Sequence, residues 1–303
     1  MIDGRAREFA LLGLLALIWG STYFFIGVAI KEIPPLTLIA VRIAIAAAFL
    51  LVVLRLQGAR LPRDRRTWGR LFIQSTLNAS VAWCLLAWGQ SHIDSGVAAV
   101  LNSTSPLFVF FLTLAITRHE ALTAIRLLGA LLGIAGVALI VGVETLSGLG
   151  VSVAGQLAAL TSAAFYAGAA IHGHRLSHLK PTVTAAGTMV CALITVAPVA
   201  LIVDRPWTLA PSGAAMVAAG ALGLVCTGVA LMIYFRLIAT LGSLGVASQA
   251  YLRAGFGVML GVAFLGERLT LTVALGLAAA LLGVALINWR PARLARGAPA
   301  GDA

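Results

Sequence analysis

Charge is scarce in this chain. Of 303 residues only 10% are Asp, Glu, Lys or Arg, against roughly a quarter in a soluble domain. A water-facing globule needs more polar surface than that, so a cytoplasmic enzyme is excluded. Aromatics are also few, at 7%, so the 61% hydrophobic share is carried by Leu, Ala, Val and Ile, with 32 Gly beside them. That mixture is the composition of packed membrane helices. Cysteine is nearly absent. Cys84, Cys191 and Cys226 all fall inside apolar runs, their number is odd and no CxxC occurs, which excludes a disulfide framework or a metal cage. No metal or cofactor is expected. The net charge of +11 invites a nucleic-acid reading, but the basic residues sit in short clusters between apolar runs, where they orient a membrane protein instead.

Ten apolar segments are present: Phe9 to Ile30, Pro35 to Leu54, Trp68 to Trp88, Ser95 to Thr117 and Ile125 to Val143, then Val153 to Ile171, Val183 to Val203, Ser212 to Ile238, Leu244 to Leu265 and Leu271 to Trp289. Each is continuously apolar over about 20 residues, which fits a spanning helix and not a β-barrel strand. The first run is too long for a signal-peptide core and lacks a convincing cleavage site, so it is expected to stay in the mature protein. With the N-terminus inside, sixteen of the 21 Lys and Arg fall on the cytoplasmic side and three on the other, while Arg42 and Arg253 lie within spans. The asymmetry predicts both termini in the cytoplasm of a bacterial-type inner membrane.

The chain also repeats itself. At an offset of 147, Pro34 meets Pro181, Glu120 meets Glu267, Gly129 meets Gly276, and Gly136–Ile140 meets Gly283–Ile287 with all five residues identical. Five spans per half is an odd number, so the halves enter the bilayer from opposite sides. The expected architecture is an all-α membrane protein of ten transmembrane helices, arranged as two inverted five-helix repeats around a central cavity. Residues 1–147 form the first repeat, 148–290 the second and 291–303 a basic, flexible cytoplasmic tail. Inverted repeats are a transporter's architecture, with the binding site near mid-membrane between the halves. No HExxH or aspartate pair lies within the spans, so an intramembrane enzyme is not expected.

Several motifs then line up in order: Leu17-Ile18-Trp19-Gly20-Ser21-Thr22, Arg42, Ser103-Thr104-Ser105-Pro106-Leu107-Phe108, Glu120-Ala121-Leu122-Thr123 and Gly266-Glu267-Arg268-Leu269-Thr270. On these marks residues 9 to 290 resemble the drug/metabolite transporter superfamily, specifically its ten-span EamA-type exporters, and within it most of all amino-acid exporters of the YddG type. The resemblance implies export of small metabolites, often amino acids and related compounds, through a central cavity by alternating access. Drugs or anionic, phosphorylated metabolites are the alternative cargo in the same fold, and a channel is a further one. One departure stands out: where the family usually reads Tyr-Leu-Ile-Pro, this chain has Tyr251-Leu252-Arg253-Ala254.

Polar side chains inside apolar runs mark candidate substrate contacts, because hydrocarbon disfavours them unless they line a cavity or bond a neighbouring helix. The candidates are Trp19, Ser21, Thr22, Gln74, Asn78, Trp83, Asn102, Ser105, Tyr166, Gln249, Tyr251 and Arg253. Each alone reads as interhelical glue; together they read as the lining of a cavity. Trp19 and Tyr166, 147 apart, are expected to flank a substrate from equivalent depths. Arg253 reads either as a guanidinium for a substrate carboxylate or as a tolerated charge that snorkels or pairs with backbone carbonyls. Arg42 and Pro106 are expected to be structural or gating. Glu120 and Glu267 are expected to accept hydrogen bonds from the helix that follows each. All ten acids lie near span ends or in connections. A neutral or zwitterionic substrate is therefore preferred over a lipophilic cation, and facilitated export over proton coupling through a buried carboxylate. Gly129-x-x-x-Gly133 and Gly257-x-x-x-Gly261 are read as close packing within one chain, and the protein as a monomer whose partners are the lipid bilayer and a small-molecule substrate.

Overall fold

The computed structural model describes residues 2–117, 124–146, 150–234, 236, 237, 240, 249–268 and 270–287, and among them every regular element is helical. The helices are α1 (Ile2–Ala29), α2 (Pro35–Leu56), α3 (Arg65–Gln90), α4 (Ser95–Asn102), α5 (Ser105–Thr117), α6 (Ala124–Leu146), α7 (Gly150–Gly173), α8 (Pro181–Val203), α9 (Gly213–Tyr234), α10 (Gln249–Leu265) and α11 (Leu271–Ile287). Seven stretches are long and apolar enough to cross a bilayer, with Ser95–Thr113 running across α4 and α5. The other three expected segments coincide with shorter apolar helices, Leu127–Leu139, Leu252–Leu265 and Leu271–Leu286.

Polar side chains are buried among the apolar core, and large apolar side chains face outward. Asn102, Gln156 and Ser162 are 0–1% exposed, while Ile202, Val217 and Phe264 are 70–75% exposed. Such an apolar exterior needs lipid against it.

Local chemistry sets the helix ends. Pro35 and Pro181 open α2 and α8 from the first-turn position, where a missing N–H costs nothing. Asp64 caps α3 by accepting the Thr67 N–H at 2.7 Å. Glycine lets helices touch: Gly129, Gly133 and Gly136 on α6 face Gly276, Ala280 and Gly283 on α11, a seam within the chain. The larger core joins α2 to α8, where Leu38, Ile39, Ile43 and Leu50 pack with Val183, Met189 and Val196.

The fourth expected span is not one helix. α4 stops at Asn102, Ser103 and Thr104 form a turn, and α5 restarts with Pro106 in its first turn. The Ser103 and Thr104 hydroxyls donate to the Ala99 and Leu101 carbonyls at 2.7 and 2.6 Å, satisfying the opened backbone. α10 runs unbroken through Arg253-Ala254, as alanine in place of proline permits. Two spans also carry a wide π-type turn, Thr76–Ser80 in α3 and Leu224–Val229 in α9.

Contacts between the halves tie both ends of the bundle. Where α1 finishes (the far end), three carboxylates each cap a helix start of the opposite half. Glu32 accepts the Ser212 N–H and hydroxyl at 2.6 and 2.8 Å. Those bonds hold the exposed Glu32 carboxyl below its ordinary range, the backbone N–H first. Asp204 accepts the Thr37 N–H at 2.7 Å. Glu267 accepts the Ser95 N–H and hydroxyl at 2.7 and 2.6 Å and the Gly96 N–H at 2.9 Å. This corrects the expectation for Glu267, which caps α4 and not the following helix. Gly266 takes a left-handed turn, φ +70°, and throws the carboxylate back across Gly261, which has no side chain to block it. The start of α11 is served by the Thr270 hydroxyl, which accepts the Val273 N–H at 3.3 Å. Glu120 lies outside the described residues. At the near end, Glu8 pairs with Arg236 at 2.7 Å and Thr182 donates to Gln57 at 2.9 Å.

Candidate functional site

Halfway along the helices, polar side chains from both halves meet in two connected groups. In the first, Arg42 on α2 is 5% exposed. Its Nε donates to the Thr227 hydroxyl at 2.9 Å and its guanidinium carbon lies 3.9 Å from the centre of the Trp83 ring. Thr227 sits in the wide turn of α9 and donates onward to the Leu222 carbonyl at 2.8 Å, a bond that the extra residue of a π turn makes possible. Among the described residues this buried guanidinium has one hydrogen-bond acceptor and one aromatic face, with no carboxylate beside it; cation–π contact partly offsets the desolvation.

The second group is a chain of hydrogen bonds through four spans. The Tyr23 hydroxyl donates to Asn102 Oδ1 at 3.1 Å, Asn102 Nδ2 donates to the Ser162 hydroxyl at 3.3 Å, and Ser162 donates to the Ala82 carbonyl at 2.7 Å. Gln90 donates to the Tyr23 carbonyl at 3.0 Å and Ser105 to the Ala163 carbonyl at 3.1 Å. Tyr23 and Tyr166 lie within electrostatic reach of both Arg42 and Arg253, which joins the two groups and brings α10 against them. α1 crosses α10 at this level, with Gly20 against Phe256 and the Arg253 carbonyl.

The structure therefore gathers Arg42, Trp83, Asn102, Tyr166 and Arg253 of the expected residues, with Ser105 beside them. It separates others. Trp19 stacks on Tyr234, ring centres 5.3 Å apart, in a cluster with Leu12, Leu15 and Ala230, while Tyr166 packs on the α2–α8 core, so the two aromatics do not flank one space. Ser21 donates to its own Ile18 carbonyl at 2.8 Å and lies 3.8 Å from Cys226 Sγ. Thr22 is buried. Gln74 and Asn78 are half-buried on α3, Asn78 inside the wide turn. The Tyr251 side chain lies outside the described residues. Sequence reasoning passed over Ser162, Gln90 and Thr227, although a lone hydroxyl or amide in an apolar run was signal enough.

Neither of two cavities outlined among the described residues is lined by this cluster. The two best-formed cavities are a groove of about 340 Å³ lined by Phe24, Phe25, Val28 and the first turns of α9, and a crevice of about 10 Å³ beside Asp94 and Glu267. Among the described residues no three His, Cys, Asp or Glu side chains gather into a metal cage.

The EamA-like transporter family matches residues 8–142 and again residues 153–289. The chain belongs to that family. A transporter family matching once per half accounts for the 147-residue offset and for a polar cluster drawn from both halves. Among its relatives, the uncharacterized inner membrane transporter YedA of Escherichia coli (strain K12) is 29% identical over 92% of this chain and 90% of its own length. The uncharacterized transporter YvbV of Bacillus subtilis (strain 168) is 25% identical over 94% and 92%. A crystal structure superposes over 97% of this chain and 100% of its own at a TM-score of 0.66 and 18% identity, a likeness of fold alone. This EamA-like chain is a multi-pass membrane transporter.

Proposed function

We propose that the chain is a secondary carrier that exports small metabolites, amino acids or related compounds, by alternating access around the mid-bundle cluster. The observation that carries the reading is the joining of Arg42, Trp83 and Thr227 to Tyr23, Asn102 and Ser162, since these buried groups come from both halves and any relative motion of the halves remakes them. The halves, residues 1–147 and 148–290, are read as inverted repeats. In support, the main helix pairings map onto themselves when the halves are exchanged: α2 with α8, α6 with α11, and α1 with α10 against α7 with α5. The wide turns at Thr76 and Leu224 fall at nearly the repeat offset. The termini are placed in the cytoplasm and the far end outside, on the Lys and Arg distribution.

The substrate site is assigned to the gathered residues Trp83, Asn102, Ser105, Tyr166 and Arg253 and to Gln249 on the same face of α10, with Arg42 as the gating or structural contact beside them and Trp19, Ser21, Thr22, Gln74, Asn78 and Tyr251 as further lining once the bundle opens. The chain works as a monomer and as a facilitator. A proteoliposome panel of labelled amino acids, organic cations and phosphorylated metabolites, with and without a pH gradient, tests this. Saturable amino-acid flux with counterflow, indifferent to the gradient, is expected. Flux without saturation or counterflow makes the protein a pore, and flux of phosphorylated metabolites alone moves the substrate class.

A further inference from the structure

Asn102 and Gln249 stand 147 residues apart and are carboxamides at equivalent places in the two halves. Their surroundings differ. Both ends of the Asn102 amide are used, by Tyr23 and by Ser162. The positions that would serve Gln249 in the same way are 170 and 15, and they hold Ala170 and Leu15, which offer no hydrogen bond. Gln249 is accordingly only 7% exposed yet its Oε1 has no partner. Four residues on, along the same face of α10, lies Arg253, one residue before the Ala254 that stands where the family carries proline. The Arg253 Nε is shut from solvent and likewise has no partner. A buried acceptor without a donor is costly in a bilayer, and a half-buried guanidinium whose Nε has no acceptor adds to that cost. The Arg42 Nε, by contrast, is satisfied by Thr227, whereas Gln90 Oε1 shares the want of a donor but has no unpartnered cation four residues away on its helix.

We propose that Gln249 and Arg253 form a recognition pair for an α-amino acid, on the carrier reading above. The substrate carboxylate docks on the Arg253 guanidinium as a charge-assisted, two-pronged pair. The substrate ammonium donates to Gln249 Oε1. A zwitterion supplies the anion and the donor that the two side chains lack, so both are satisfied by one ligand that adds no net charge to the membrane interior. The first half keeps its carboxamide for structure; the second leaves its own open for cargo. In this conformation Gln249 is buried and Arg253 half-buried, and opening of the near end, on whose side Gln249 lies along α10, gives the pair access.

The test is binding, measured apart from transport, on purified protein in detergent with each of the common L-amino acids and their carboxamides as probes. At least one amino acid is expected to raise the melting temperature in a saturable way, and its carboxamide to bind about tenfold more weakly or worse. Arg253→Ile and Gln249→Leu are each expected to lose about tenfold in affinity. Without ligand, Arg253→Ile is expected to melt no lower than wild type, because it removes a charge that has no partner to lose. A lower melting point for the unliganded variant would make Arg253 structural and overturn the assignment. So would amino-acid binding that survives either substitution, binding of phosphorylated metabolites in place of amino acids, or no binding by any amino acid. Binding as described without flux in liposomes would leave the pair standing and refute the carrier instead.

Discussion

Gln57-Gly58 and Asp204-Arg205 stand 147 residues apart and do the same work at opposite ends of the bundle. Gln57-Gly58 ends α2, and Asp204-Arg205 ends α8; each helix is followed by a residue in the left-handed region, Gly58 at φ +63° and Arg205 at φ +49°. Each side chain then reaches the first turn of the other helix: Gln57 accepts from the Thr182 hydroxyl of α8, and Asp204 from the Thr37 N–H of α2. The wiring is shared and the chemistry is not. At the near end a neutral amide meets a hydroxyl at 2.9 Å; at the far end a carboxylate meets a helix N-terminus at 2.7 Å. Charge-assisted bonds at helix starts are the stronger kind, and the far end has two more of them, from Glu32 and Glu267. Among the described residues the far end is tied by three carboxylates on helix starts, and the near end by a neutral amide–hydroxyl bond, the exposed Glu8–Arg236 pair, a Thr240–Glu8 bond and an Arg70 bond to the Arg175 carbonyl. On the carrier proposed above, the three carboxylate caps predict a resting state with the far end shut.

Breaking that asymmetry is expected to have graded effects. Glu267→Ala removes three bonds to one carboxylate and is expected to cost about 3 kcal/mol, read as a lower melting temperature in detergent. It is also expected to expose far-end positions to a membrane-impermeant thiol reagent. Asp204→Asn keeps the shape and loses the charge, with an expected cost of about 1 kcal/mol and the same direction of labelling. Arg205→Gly sharpens the comparison from the other side. It relieves a left-handed non-glycine residue and is expected to stabilise the far end by about 1 kcal/mol. Gln57→Glu places a carboxylate at the near-end site and is expected to gain about 0.5 kcal/mol there, shifting thiol accessibility toward the far end.

The smallest effect concerns pH. Partial desolvation, and secondly the Glu267 charge, holds the Asp94 carboxyl above its ordinary range. The folded protein then keeps a proton that the unfolded chain has released. This one group makes stability fall as pH rises from about 4 toward the raised value. Asp94→Asn is expected to flatten that slope in melting temperatures measured across the range.

How much of this the sequence disclosed can be judged from particular residues. The apolar runs, the repeat and the buried Arg42, Trp83 and Asn102 were legible because hydrocarbon makes every internal polar residue conspicuous. Partners across the halves were not. Nothing local says that Glu267 turns back onto Ser95, since that depends on how Gly266 redirects the chain and on Gly261 leaving room. Trp19 and Tyr166 share a depth by arithmetic, but Tyr234 offered Trp19 a nearer ring. The wide turns at Thr76 and Leu224 leave no mark in hydropathy, and the break after Asn102 was legible only as a proline. The open carboxamide of Gln249 becomes visible only when Ala170 and Leu15 are seen to occupy the places of Tyr23 and Ser162.

The most direct test of the two-ended carrier is a pair of spin-label distances in liposomes, in a background lacking Cys84, Cys191 and Cys226. One pair, at positions 31 and 207, spans the far end; the other, at positions 56 and 177, spans the near end. In wild type the far-end distance should be short and narrowly distributed. Glu267→Ala should lengthen it while shortening the near-end distance. Two distances that lengthen together, or a far end that stays shut in the variant, would contradict the account.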